Sequence, residues 1–252
     1  MDVHHHPEVE KKGFKEYFLE FLMIFLAVTM GFFAESLRER IADHENGKRN
    51  IESIIKSVSI DTSNIKQFIE LNLDQIKGID SFIEIKNEDI DVDSVKWKYY
   101  YYTLNFLNED YYWQPKNAGI EQLKSSGGLN LIKDQSIVDS ILGYDIFNNQ
   151  IGLQQSDCHY LLAQIWEIEF KLLDFSIIKN PSIGWLSHSA YNSESKSIQL
   201  PAINKDPVLL KQFFGYVTAT SLSNSVYVLD LENQLERGRH LIAFLKKEYN
   251  IP

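Results

Sequence analysis

Several stretches of the chain carry side chains whose types could do chemistry, and spacing decides each case. Asp157, Cys158 and His159 stand side by side. Neighbours on a helix point about 100° apart, so a thiol and an imidazole that must touch cannot come from adjacent positions, and Cys158 reads as a small core residue. Asp89, Asp91 and Asp93 alternate like the opening of a calcium loop, but Ser94 stands where the turn glycine belongs and Tyr100 where the closing glutamate belongs. Residues 84–93 therefore read as a solvated acidic connection. Ser125, Ser126, Gly127 and Gly128 invite a phosphate-loop reading; Lys124 precedes the glycines and no Gly-Lys-Ser/Thr follows, so a glycine helix stop suffices. His4, His5 and His6 lie on a polar tail, residues 1–16, broken by Pro7 and Gly13 and without fixed partners, so no metal is assigned to them. Trp185, His188 and Tyr191 are the distinctive side chains of a long polar connection over 176–206. With no His-Glu-x-x-His pair and no nucleophile elbow, the expectation is no catalytic residue, no metal, no cofactor and no enzyme.

A second class of candidates is polar residues on otherwise apolar helical stripes. Ile51, Ile55, Val58, Ile65, Phe68, Ile69, Ile76, Ile79 and Ile83 keep a three-four spacing that predicts a long amphipathic helix to about residue 84, interrupted by Thr62 and Asn72. Ile137, Ile141, Tyr144, Ile151, Cys158, Leu162, Ile165 and Leu172 predict another over about 135–175, with Asn148 and Gln155 on the stripe. A third opens at Asp206-Pro207, a capping aspartate followed by proline, and runs to the end with Asn224 and Gly238 inside it and Lys246 and Lys247 in its last turn. Asn72, Asn148, Gln155 and Asn224 either line a polar pocket between helices or pair to fix their register. The aromatic run from Trp97 to Trp113 has acidic surroundings and a spacing that suits core packing.

These helices follow a segment of a different kind. Tyr17–Leu37, about 21 residues, covers ~31 Å as a helix, enough to cross a bilayer. Glu20 and Glu35 lie near its two ends, where ionised side chains reach headgroups. Glu20, Ile24, Ala27, Gly31 and Ala34 share one face, and Ala27 and Gly31 form a small-xxx-small pair that lets another helix backbone approach in lipid. A homo-oligomer or another membrane protein is the expected partner. Lysines before the span (Lys11, Lys12, Lys15) balance the basic residues after it (Arg38, Arg40, Lys48, Arg49), so charge alone does not orient it. A short polar tail before a first hydrophobic segment favours a signal anchor with the remainder exported. The net charge of −10 and pI near 5.2 argue against nucleic acid as a partner, and the single cysteine excludes an internal disulfide.

Two of these stretches together resemble an uncharacterised Gram-negative bacterial family of single-span membrane proteins. One is the span, with Glu20, Ala27 and Gly31 and the exit Ala34–Arg40; the other is Leu123–Asp134, LKSSGGLNLIKD, similar to the family's leucine-lysine-serine-serine-glycine helix stop. The resemblance implies an inner-membrane protein with an N-terminal anchor and an exported helical domain, and it supplies no catalytic residues. The expected fold is all-α, a transmembrane helix at 17–37 joined to an antiparallel helical bundle over 38–252. Three functions remain open: a structural or interaction subunit of an envelope complex, a ligand-sensing periplasmic domain and, last, an enzyme.

Overall fold

The computed structural model describes residues 13–176 and 199–252, and among them there is no strand. Five α-helices carry the fold: α1 (Phe14–Glu84), α2 (Asp93–Tyr102), α3 (Ala118–Ser125), α4 (Gln135–Leu172) and α5 (Pro207–Tyr249). Trp185, His188 and Tyr191 lie outside the described residues, as do His4, His5 and His6. The chain divides into two units, 1–50 and 51–252.

The described part of the first unit is the N-terminal portion of α1. From Phe14 to Asn46 it is exposed throughout, apart from half-buried Leu22, and it is long and apolar enough to cross a membrane. Thr29 returns its hydroxyl to the Phe25 carbonyl at 2.6 Å, which removes a free polar group from the apolar stretch, and Arg38 pairs with Glu35 at 2.5 Å.

In the second unit the remainder of α1 buries a seam of Ile51, Ile54, Val58, Asp61, Ile65, Asn72, Gln75, Ile79 and Phe82. Its steps of three and four make one helix face. The seam is rotated slightly from the predicted stripe: Thr62 is half-buried and bonds the Ser59 carbonyl, while Asp61 and Gln75 occupy the interior. Three apolar clusters fill the core. One joins Ile79, Phe82, Tyr99, Tyr100, Leu107, Ile165, Leu172 and Phe213; a second joins Ile51, Ile54, Ile120, Leu123, Ile141 and Leu245; the third joins Ile65, Trp113, Ile151, Cys158, Tyr227 and Leu231. Each large side chain so buried contributes ~1.5–3 kcal/mol. The aromatic run is accordingly core: Trp97, Tyr99, Tyr100 and Trp113 are buried, with Phe82 edge-on to Tyr99 at 5.1 Å.

Helix limits follow local chemistry. The Asp134 carboxylate accepts the Ser136 N–H at 2.8 Å and opens α4, and Asp206 accepts from Val208 at 2.8 Å and Leu209 at 3.4 Å to open α5 behind Pro207. Gly127, at φ 70°, provides the left-handed turn after α3. Lys124 pairs with Glu121 at 2.9 Å and Asp145 at 2.8 Å, tying α3 to α4. At the acidic connection, Asp89 accepts the Asp91 N–H at 3.0 Å and Lys205 pairs with Asp91. The α2 helix ends in a π-helical turn, Thr103–Leu107, and from there the chain runs without regular structure to Asn117.

Candidate functional site

Residues 108–117 form a strap whose backbone has no helix or sheet to satisfy it, so buried side chains must do so. Gln75 donates to the carbonyls of Phe106 at 2.9 Å and Glu109 at 2.6 Å, and Asn224 donates to Gln75 Oε1 at 3.0 Å. Asn72 donates to the Tyr111 carbonyl at 3.3 Å. The Trp113 N–H donates to the Tyr227 hydroxyl at 2.9 Å, and the Lys116 N–H donates to Asp61 Oδ1 at 2.7 Å. Trp166 Nε1 holds the Leu107 carbonyl at 2.8 Å. Phe106 is pressed so closely onto α1 that a Cβ at Gly78 would lie 2.2 Å from its ring. The strap is therefore fixed from α1, α4 and α5 by groups 31 to 114 residues away in sequence.

This support shifts ionisation. Burial pushes the Asp61 carboxyl above its ordinary range, against the opposing bonds from the Lys116 N–H and the Tyr144 hydroxyl, which lies 3.3 Å from Oδ2. Burial also raises the Tyr144 phenol, with the Asp61 charge adding to it, and the Tyr227 phenol goes up to about 12, mainly through burial.

Between the strap and one face of α4 lies a cleft of about 540 Å³. Asn148, Ile151, Gly152, Gln155, Ser156 and His159 supply the helix side, at steps of three and one that keep them on a single face, and Asp110, Tyr112, Trp113, Gln114 and Pro115 supply the other. His159 Nδ1 lies 2.7 Å from Asp110 Oδ2 and links the two walls. Beneath the surface are two unmet donors. Trp113 Nε1 and Asn148 Nδ2 are buried and have no hydrogen-bond partner among the described residues, although Asn148 Oδ1 accepts from Gln234. An unmet buried donor costs ~1–3 kcal/mol, which an acceptor brought by a ligand or a water recovers.

Of the four residues predicted for a polar pocket, the structure brings Asn148 and Gln155 to this cleft, commits Asn72 to the strap's backbone and commits Asn224 to the Gln75 side chain that holds that backbone. Sequence reasoning missed Asp61, Gln75, Asp110, Trp113 and His159 as members of this arrangement. A signal existed for Asp61 and Gln75, which fall in step with Ile65, Asn72 and Ile79; for Asp110 and His159, 49 residues apart, no local pattern exists. Cys158 turns away from the cleft, its Sγ 3.3 Å from the Ser223 hydroxyl, and burial pushes its thiol up, so it and His159 face different partners. Glu20, Ile24, Ala27, Gly31 and Ala34 are all exposed on the N-terminal portion of α1, in the other unit.

A separate buried acid lies further along α4. Glu169 is 1 % exposed, and its carboxyl is pushed up to about 8 by burial, against a bond from the Asn108 side chain. Its Oε2 has no partner among the described residues, and neither do the buried hydroxyls of Thr103 and Thr220. Among the described residues no three His, Cys, Asp or Glu side chains converge as a metal set. No family model matches the chain, and no curated protein or solved structure is significantly similar to it.

Proposed function

We propose that the protein is a membrane-anchored ligand-sensing domain, with Tyr17–Leu37 spanning a bacterial inner membrane and the cleft between strap and α4 taking a small polar molecule. The observation that carries this reading is the pair of buried donors at the cleft, Trp113 Nε1 and Asn148 Nδ2, which meet no acceptor among the described residues. An antiparallel bundle of α1, α4 and α5 holds the site in this reading. It is supported by the order of the cross-links: Gln154 meets Ser223 while Tyr144 and Asn148 meet Gln234, and Gln75 meets Asn224 while Asp80 meets Ser221. Following the signal-anchor argument and the family resemblance, the helical domain is periplasmic. Protease treatment of intact spheroplasts, followed with an antibody to the C-terminus, tests this; protection before lysis overturns it.

The ligand reading is tested by melting the full-length protein in mild detergent against a library of small polar metabolites. At a hundredfold excess over Kd a ligand adds ~2.7 kcal/mol of stability, a readily measured shift. No shift with any compound overturns it.

A second reading, a structural or interaction subunit of an envelope complex, is favoured by the face of the span. A Cβ on Gly31 would meet nothing within 4 Å, and Ile24 beside it is 64 % exposed, so that face is open to close approach by a second copy or another membrane protein. Gly31→Leu is expected to lower the mass of the detergent-solubilised complex, and an unchanged mass overturns the reading.

A further inference from the structure

The chemistry of the cleft narrows what it can hold, given the reading of it as a ligand site. Among the described residues no lysine or arginine lines it, so an anion would find no counter-charge there and would meet the Asp110 carboxylate. That carboxylate is already bonded to His159, which leaves little to recruit a cation. An apolar ligand would strand the amides of Gln114 and Gln155. The cleft therefore suits a neutral molecule rich in groups that both donate and accept. Hydroxyls do both: they can accept from Trp113 Nε1 and Asn148 Nδ2 and donate to Asp110. Tyr112, 45 % exposed at the mouth, offers a ring against which an aliphatic C–H face can lie, and the volume of about 540 Å³ falls within the ~300–1,000 Å³ of small-molecule sites.

We propose that the cleft binds a neutral saccharide, its hydroxyls engaging Asp110, Gln155 and the buried donors of Trp113 and Asn148. The two donors are closed to water, so binding turns the Asn148 amide and shifts the strap outward by a small amount. No bond in the sugar is made or broken.

Gly152 provides the decisive variant. A Cβ there meets nothing within 4 Å, so a side chain can leave the helix at this position, and Gly152→Trp sets a ring at the cleft, its fold checked by circular dichroism and the melt. Full-length protein in mild detergent is titrated calorimetrically with neutral mono- and disaccharides, and in parallel with free amino acids, nucleosides and carboxylates. Saccharide binding that Gly152→Trp abolishes and Asp110→Asn weakens by roughly tenfold is the expected result. Should Gly152→Trp fail to fold, Asp110→Asn and Gln155→Ala carry the same comparison. Binding of another class, blocked by Gly152→Trp, overturns the saccharide assignment and leaves the ligand site standing; no binding of any class overturns both. Saccharide binding untouched by all these variants also overturns the assignment. Co-sedimentation with insoluble cell-wall glycan separates the sources: loss of sedimentation in the blocked variant marks a polymer, and calorimetric binding without sedimentation marks a free sugar.

Discussion

Two sets of buried polar groups in the helical domain are treated in opposite ways. Under the start of the strap, Asn72, Gln75 and Asn224 form a closed account in which Gln75 alone satisfies two carbonyls and one amide. Along α4, Asn148 and Glu169 each keep an atom with no partner among the described residues. The first set holds an irregular segment in place; the second stores groups that gain from a change in their surroundings. Burial of a polar residue thus says little about its role until each of its atoms is followed to a partner.

The comparison breaks most visibly at Gln75. Gln75→Leu leaves the Phe106 and Glu109 carbonyls and the Asn224 amide unmet and is expected to lower stability by ~3–5 kcal/mol in denaturant melts, while the exposed N-terminal portion of α1 is unaffected. On the α4 side the expected effect is a pH dependence. Glu169 titrates near 8 when folded against an ordinary 4.5, so its contribution is full below about 4.5 and is lost as pH rises through about 8. The wild type should lose on the order of 3 kcal/mol across that window, and Glu169→Gln, which cannot ionise, should flatten the profile. A profile that is the same in both proteins would remove Glu169 from the comparison. Gly78→Ala drives a methyl into the Phe106 ring and should cost ~1–3 kcal/mol, read as a lowered Tm. Asn148→Ala, which deletes an amide already lacking one partner, should cost only about 1 kcal/mol, well below Asn72→Ala at ~2 kcal/mol. The smallest change is a gain: Gly152→Ala adds helix propensity with no contact to disturb and should raise stability by ~0.5–1 kcal/mol.

Whatever depends on neighbours in sequence was legible beforehand. Asp134, Asp206-Pro207 and Gly127 mark the ends of helices through bonds spanning two or three residues or through a single φ angle, and those ends lie where the sequence puts them. The all-α class and the long helix through residue 84 follow from periodicity in the same way. The strap was not legible. It continues an aromatic run with helical spacing, and what stops the helix and shapes the backbone beyond Leu107 is a set of side chains on three distant helices. The candidate site inherits that limit. Half of its wall, the face from Asn148 to His159, is a helix stripe and half of that stripe was named, whereas Asp110 and Trp113 reach the cleft through contacts that no local pattern encodes.

The exit from α4 and the entry to α5 are fastened directly to each other. The Asn204 N–H donates to the Leu172 carbonyl at 2.9 Å, its side-chain amide donates to the Lys171 carbonyl at 3.1 Å, and Ile203 is buried in the adjoining core. Two ends pinned in this way act as a socket. Since closing a chain between fixed points costs only ~0.6 kcal/mol for each doubling of its length, this contact, rather than the number of residues between Leu172 and Asn204, sets how far apart the two helix ends stand.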